Sequence, residues 1–214
     1  MGWWVHDLWN AGRETELVSW IFWVIASITL HELAHGWVAT FEGDDTPRKT
    51  GHLSINPVVH MGIPSMVVFL VIGIAWGVMP VNPYKFRHGK LGHILVSAAG
   101  PAMNLLLALV ALTALGLFVD PESKPFLATF LFVGGYLNIL LAMFNLLPVP
   151  PLDGSTILAN LSPSIERLYA HPQAGFIGLF FMLALFMSNL GGVVFEIAQQ
   201  LSAQYAGIIS SLIH

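Results

Sequence analysis

The chain has 214 residues, of which 56% are hydrophobic and 9% charged. A soluble domain carries about 25% charged residues, so this chain cannot cover its surface with polar groups, and lipid must be the solvent for much of it. A formal net charge of −4 gives no nucleic-acid signal, and the absence of cysteine excludes disulfides and thiolate metal sites.

Residues 1–16 lack the basic region, apolar run and small-residue site of a cleavable signal, so the first apolar helix is read as the targeting element. Spanning a bilayer takes about 20 apolar residues in helix. The first such run is 17–40, and it carries the polar cluster His31-Glu32-Leu33-Ala34-His35. Next, 51–60 (GHLSINPVVH) and 78–83 (VMPVNP) read as extended chain and turns, because residues before proline avoid the helical region. A short extended hairpin is expected near 48–60. The run 64–79, bracketed by Gly62-Ile63-Pro64 and Pro80, is short for a span and is expected to re-enter the membrane. Re-entry puts Arg48, Lys49, Lys85, Arg87 and Lys90 on one side, which the positive-inside rule makes cytoplasmic.

Two strong runs follow, 91–119 and 126–147, with a further one at 174–190. The last stretch, 193–213, is mixed, with Glu196, Gln199, Gln200 and Gln204, and suits a poor span or an interfacial helix. The expectation is one domain, 1–214, with a catalytic core at about 17–160. It is an all-α polytopic membrane protein of five to six membrane helices or helix segments, lodged in the cell (cytoplasmic) membrane.

The chemistry sits in the first run. Residues at i and i+4 share one face of a helix, so His31 and His35 can present both imidazoles to one metal ion. Glu32 is turned about 100° away and lies beside the metal, where a general base acting on a water belongs. Three ionisable groups within five positions of an apolar helix are costly in lipid and need a joint purpose. A catalytic zinc keeps three protein ligands and one open position. Asp153 is the candidate third ligand. It ends the segment Asn145-Leu146-Leu147-Pro148-Val149-Pro150-Pro151-Leu152-Asp153-Gly154, whose prolines break the helix and can turn the carboxylate inward. An N-cap role for Asp153 is the alternative.

HELAH together with NLLPVPPLDG resembles the site-2 protease family of intramembrane metalloproteases. The segments 51–60, Pro80-Val81-Asn82-Pro83 and Ala99-Gly100-Pro101-Ala102-Met103-Asn104 are similar to that family's G-R-L-x-x-N-P-x-x-H, P-V-N-P and A-G-P-x-x-N elements. No PDZ-like insertion interrupts the match, which makes it the compact form. The resemblance implies membrane helices around one Zn2+ ion, a cleft reached from the cytoplasmic side, and hydrolysis of a transmembrane protein substrate to release a regulatory fragment. It implies His31, His35 and Asp153 as ligands and Glu32 as base. Asn145 matches the family's asparagine near the metal, where it would polarise the substrate carbonyl, hold its oxyanion, or pin the broken helix. Ser155 stands where the family usually has a second glycine, and His52 where arginine is common.

Secondary features are weaker. The stretch around Asn56 and His60 could offer an edge strand to an unwound substrate, or be a packed loop. Gly100, Gly116, Gly134 and Gly135 allow close helix approach, Asn104 suits an interhelical hydrogen bond, and Trp3, Trp4, Trp9 and Trp20 read as an interfacial belt. Rival readings are a membrane zinc-binding or zinc-transport protein, a catalytically silent relative that binds helices, and a zincin whose third ligand is Glu166 or Glu196.

Overall fold

A computed structural model describes residues 4–212, and the side chains of all of these except 186, 187, 189 and 190. Helix α1 (Trp4–Asn10) leads into α2 (Glu14–Phe41), whose 28 residues reach about 42 Å. Ser19, Thr29 and Thr40 return their hydroxyls to the carbonyls of Thr15, Ile25 and Gly36 one turn back, so these three hydroxyls are satisfied within the helix. One helical turn, α3 (Thr46–Lys49), precedes α4 (Pro57–Ile72). Helices α5 (Lys90–Phe118) and α6 (Pro125–Asn145) pack on α2 and on each other. The chain ends with α7 (Asp153–Leu161), α8 (Pro163–Tyr169), α9 (Ala174–Met187) and α10 (Asn189–Ser211). No strand occurs among the described residues.

Among the described residues three helices, α2, α5 and α6, are long and apolar enough to cross a membrane, and α8 with α9 forms a fourth apolar unit bent by 87°. The surface agrees. Leu105, Leu106, Leu109 and Val110 on α5 are exposed, as are Phe176, Ile177, Phe180 and Phe181 on α9. The interior, by contrast, holds Ser19, Ser27, Asn104, Asn138 and Ser202 with no exposed surface. Apolar outside and hydrogen-bonded polar inside is the distribution that lipid imposes, since nothing in the hydrocarbon can satisfy a bare polar group. The helices approach closely where glycine faces a large side chain: a Cβ on Gly134 would run into the Trp23 indole, and one on Gly135 into Leu112.

The re-entrant expectation holds in shape. At 16 residues α4 is about 24 Å long, less than the roughly 30 Å of hydrocarbon. It kinks at Gly62 (φ 67°) and stops at Gly73 in the left-handed conformation (φ 84°). Residues 74–82 then run back along it: Val78 N–H donates to His60 O (2.9 Å), and the Ser65 hydroxyl bonds both Trp76 O (2.7 Å) and Trp76 N (2.9 Å). The mixed final helix, α10, packs into the bundle against α5 and α6, with Tyr205 OH 2.9 Å from Thr113 Oγ1.

The extended hairpin expected near 48–60 does not form. Asn56 and Pro57, read as turn residues, instead start a helix. Asn56 is the N-cap of α4 and its side chain accepts from Val58 N–H (3.0 Å), while Pro57, lacking an N–H, sits at the first helical position where none is needed. Of the tryptophan belt, Trp9 is exposed and Trp3 lies outside the described residues, whereas Trp4 packs at a tilt against Phe69 and donates its indole N–H to Phe69 O (3.2 Å).

At the far end of α2, buried Glu42 accepts from His88 N–H (3.2 Å), and Asp44 accepts from Asn82 N–H (2.6 Å) and Thr46 N–H (2.9 Å). Lys49 and Lys85 both pair with Asp45 at 2.5 Å. Arg87 N–H donates to Glu42 O (2.8 Å), so Arg48, Lys49, Lys85 and Arg87 lie near the end of α2, and Lys90 opens α5 three residues on from Arg87. Hydrogen bonds from Lys49 and then Lys85 pull the Asp45 carboxyl down to about 2. Burial pushes Asp44 up, but hydrogen bonds from Thr46 and Asn82 outweigh it and hold its carboxyl below the usual range. A carboxylate with a lower pKa folded than unfolded adds stability that is complete above its unfolded value, near 4, and is lost as pH falls through its folded value. The thermal midpoint in detergent micelles is therefore expected to fall as pH drops from about 4 to about 2. Combined Asp44→Asn and Asp45→Asn substitution should shrink that fall; an unchanged pH profile would remove these carboxylates from the account.

Candidate metal centre

The three candidate ligands named from the sequence, His31, His35 and Asp153, meet in the structure. His31 and His35 project from one face of α2, and their Nε2 atoms lie 3.0 Å apart. Asp153 Oδ2 reaches them from α7 at 3.2 Å and 3.4 Å. Among the described residues this is the one group of three potential ligands so closely spaced. Asp153 arrives there because α6 ends at Asn145 and the proline-rich 146–152 segment folds back at once. Leu146 N–H still bonds Ala142 O (3.0 Å), and a Cβ on Gly154 would overlap the Leu146 carbonyl, so the end of α6 and the start of α7 touch. The N-cap of α7 is Leu152 and makes no side-chain cap bond, so capping is not what occupies Asp153.

The donor set fits a zinc ion on three counts. Ligands held tetrahedrally about 2.0–2.1 Å from an ion are about 3.3–3.4 Å from each other, close to the spacing observed. Asp153 Oδ2 is buried and has no hydrogen-bond partner, which is costly unless a cation takes its place. And α5 leaves room for an ion: a Cβ on Gly100 would collide with both imidazoles. The far side of each ring is anchored, as metal-binding histidines require. His35 Nδ1 is 2.7 Å from Val96 O, a carbonyl that can only accept, so Nδ1 carries the proton and Nε2 faces the ligand set bare. His31 Nδ1 is 2.6 Å from Asn104 Oδ1.

Glu32 is buried beside the pair but bonded to neither ring. The stripe Ile28, Glu32 and Gly36 on α2 is covered by the returning segment 74–82. A Cβ on Gly77 would strike the Glu32 carboxylate and Ile28, and one on Gly36 would meet Met79 and Leu53. The extended chain beside the site is thus 74–82. His60 is buried, bonds Ser54 O through Nε2 (2.6 Å), and leaves Nδ1 without a partner; Asn56 is spent on the helix cap. Asn145 Nδ2 donates to Leu141 O (3.0 Å), and among the described residues no hydrogen bond ties it to the three ligands. Glu166 pairs with Lys90 (2.6 Å) and does not join them.

Sequence reasoning missed three contributors. His52 stands edge-on to buried His60, with ring centroids 6.2 Å apart. The Val96 carbonyl has no sequence signal. Asn138 had one, an amide in the middle of the apolar run of α6.

A family model described as Peptidase family M50 matches residues 119–189. A Bacillus subtilis (strain 168) protein named "Putative zinc metalloprotease YwhC" is 40% identical over 178 residues, covering 80% of this chain and 81% of that one. A Mycobacterium tuberculosis (strain ATCC 25618 / H37Rv) protein named "Putative zinc metalloprotease Rip2" is 32% identical over 184 residues, covering 82% and 69%. "Zinc metalloprotease MJ0392" of Methanocaldococcus jannaschii is 30% identical over 179 residues, covering 80% and 44%. No solved structure matches the chain. Identity of 40% extending over four fifths of both chains shows the family, and the chain belongs to peptidase family M50, the site-2 protease family.

Proposed function

We propose that this protein is a zinc metalloendopeptidase that hydrolyses a peptide bond in or beside a transmembrane segment of a substrate protein. The observation that carries the reading is the convergence of His31, His35 and Asp153 within a helix bundle whose outer surface is apolar, with Glu32 buried beside them. The family and the names of the relatives support the zinc and the protease chemistry. The apolar span α2, which bears the two histidines, supports a site below the membrane surface.

A zinc ion held by the three side chains would supply a Lewis acid for the scissile carbonyl and for water. Glu32 takes the proton of the attacking water and hands it to the leaving amine. Its burial against Gly77 and Ile28 keeps the carboxylate in one place and out of bulk water. Asn145 spends one of its two amide N–H groups on Leu141 O, which leaves the second for the substrate carbonyl or its oxyanion. A substrate helix must unwind to be cut, and the extended 74–79 segment beside Glu32 can hold such a chain more readily than the loop around Asn56 and His60. The gathering of Arg48, Lys49, Lys85, Arg87 and Lys90 near the end of α2 closer to His35 favours a site nearer the cytoplasmic face of the cell membrane.

Two variants test this in the purified protein with a reconstituted single-pass substrate. Glu32→Gln is expected to keep about one zinc per chain while cleavage falls by roughly 10²–10⁴-fold; cleavage at the wild-type rate would overturn the mechanism. Gly100→Ala puts a methyl group where the imidazoles stand. It should lose bound zinc and activity together while keeping its helical circular dichroism, and full zinc retention would mean that the metal sits elsewhere.

A further inference from the structure

The polar groups buried between α2, α5 and α6 form one continuous line of hydrogen bonds ending on a metal ligand. Asn138 Nδ2 donates to Gly134 O (2.8 Å) and Ser27 Oγ (2.9 Å), Asn104 Nδ2 donates to Asn138 Oδ1 (2.9 Å), and Asn104 Oδ1 lies 2.6 Å from His31 Nδ1. Ser27, Asn104 and Asn138 have no exposed surface, so water cannot substitute for any member.

The direction of every bond follows from one atom. Gly134 O is a backbone carbonyl and can only accept, so the NH2 end of the Asn138 amide must face it. The Asn138 oxygen then faces Asn104 and requires a donor, which turns the NH2 end of Asn104 toward it. The Asn104 oxygen is thereby aimed at His31 Nδ1, and that nitrogen must carry the ring proton. His31 Nε2 is left bare on the side where His35 Nε2 and Asp153 Oδ2 converge. Reversing either amide would set two acceptors face to face in a dry interior. Ser27 does not share this role, because a hydroxyl can donate or accept.

We propose that Asn138, acting through Asn104, fixes the tautomer of His31 and so holds the Nε2 lone pair on the metal position. Asn138 is a positioning residue from α6, a helix that supplies none of the three ligands. The inference rests on the zinc reading of His31, and outer partners of this kind are worth about 10–100-fold in metal affinity.

The test uses the full chain in micelles. In the metal-free wild type at about pH 8, where an unperturbed imidazole is neutral, nitrogen-15 spectra of labelled histidines should show His31 as the Nδ1–H tautomer. Zinc affinity by chelator competition should fall about 10–100-fold in Asn138→Leu. Asn138→Asp should stay near wild type, because a buried carboxyl stays protonated and can still donate to Gly134 O while accepting from Asn104. Ser27→Ala should also stay near wild type. An Nε2–H tautomer in the wild type, or undiminished zinc affinity in a folded Asn138→Leu, would overturn the proposal. If Asn138→Leu does not fold, the wild-type tautomer decides alone. A wild type that shows the Nδ1–H tautomer yet binds no zinc would refute the metalloprotease reading and leave the relay standing.

Discussion

Three lone pairs converge within 3.4 Å in the interior of an apolar bundle, two from imidazoles and one from a carboxylate oxygen that nothing else satisfies. Such an arrangement is repulsive in a low-dielectric medium unless a cation sits among the donors. Much of the surrounding structure serves to keep them there. The Val96 carbonyl faces one ring, Asn104 the other, Gly100 withholds a side chain from the space between, and the sharp turn after α6 delivers the carboxylate. Few of these features has an equally direct purpose if the centre is empty of charge.

Helix α2 is the axis of the arrangement because its faces do different work. One presents His31 and His35 to α5 and α7. The next presents Ile28, Glu32 and Gly36 to the returning 74–82 segment. A third is exposed at Val18 and Phe22, where lipid would be the solvent. The 100° step between successive helical residues is what lets His31 belong to one face and Glu32 to the next. That separation is chemically useful, since a base that bonded the ligands could not also serve a water. The covering segment 74–82 is not helical, and Gly77 lets its backbone come close to Glu32.

The parts of this picture that were legible in the sequence are those set by local spacing or by cost. Helical periodicity fixes the relation of His31, Glu32 and His35 whatever surrounds them. The expense of a charged group near apolar runs marked Asp153 as purposeful, although its partner lies more than a hundred residues away. The shortness of 64–79 marked a segment too short to span, by the same comparison of length with membrane thickness, and α4 is that short. The hairpin near 48–60 failed because Asn-Pro is a signal with two meanings, a turn or a helix start. The apolar periodicity after Pro57 selects the second. The direction of the Asn104–Asn138 relay was illegible in principle. It depends on which backbone carbonyl lies opposite an amide, and that is a property of packing.

The central claim is that one zinc ion is held by two imidazoles from α2 and one carboxylate from α7. Zinc K-edge X-ray absorption on the purified protein tests it most directly. The account predicts a four-coordinate shell of nitrogen and oxygen at about 2.0–2.2 Å, containing two imidazoles, and lost or reorganised in Asp153→Ala. A six-oxygen shell, or a spectrum that Asp153→Ala and His35→Ala leave unchanged, would contradict it.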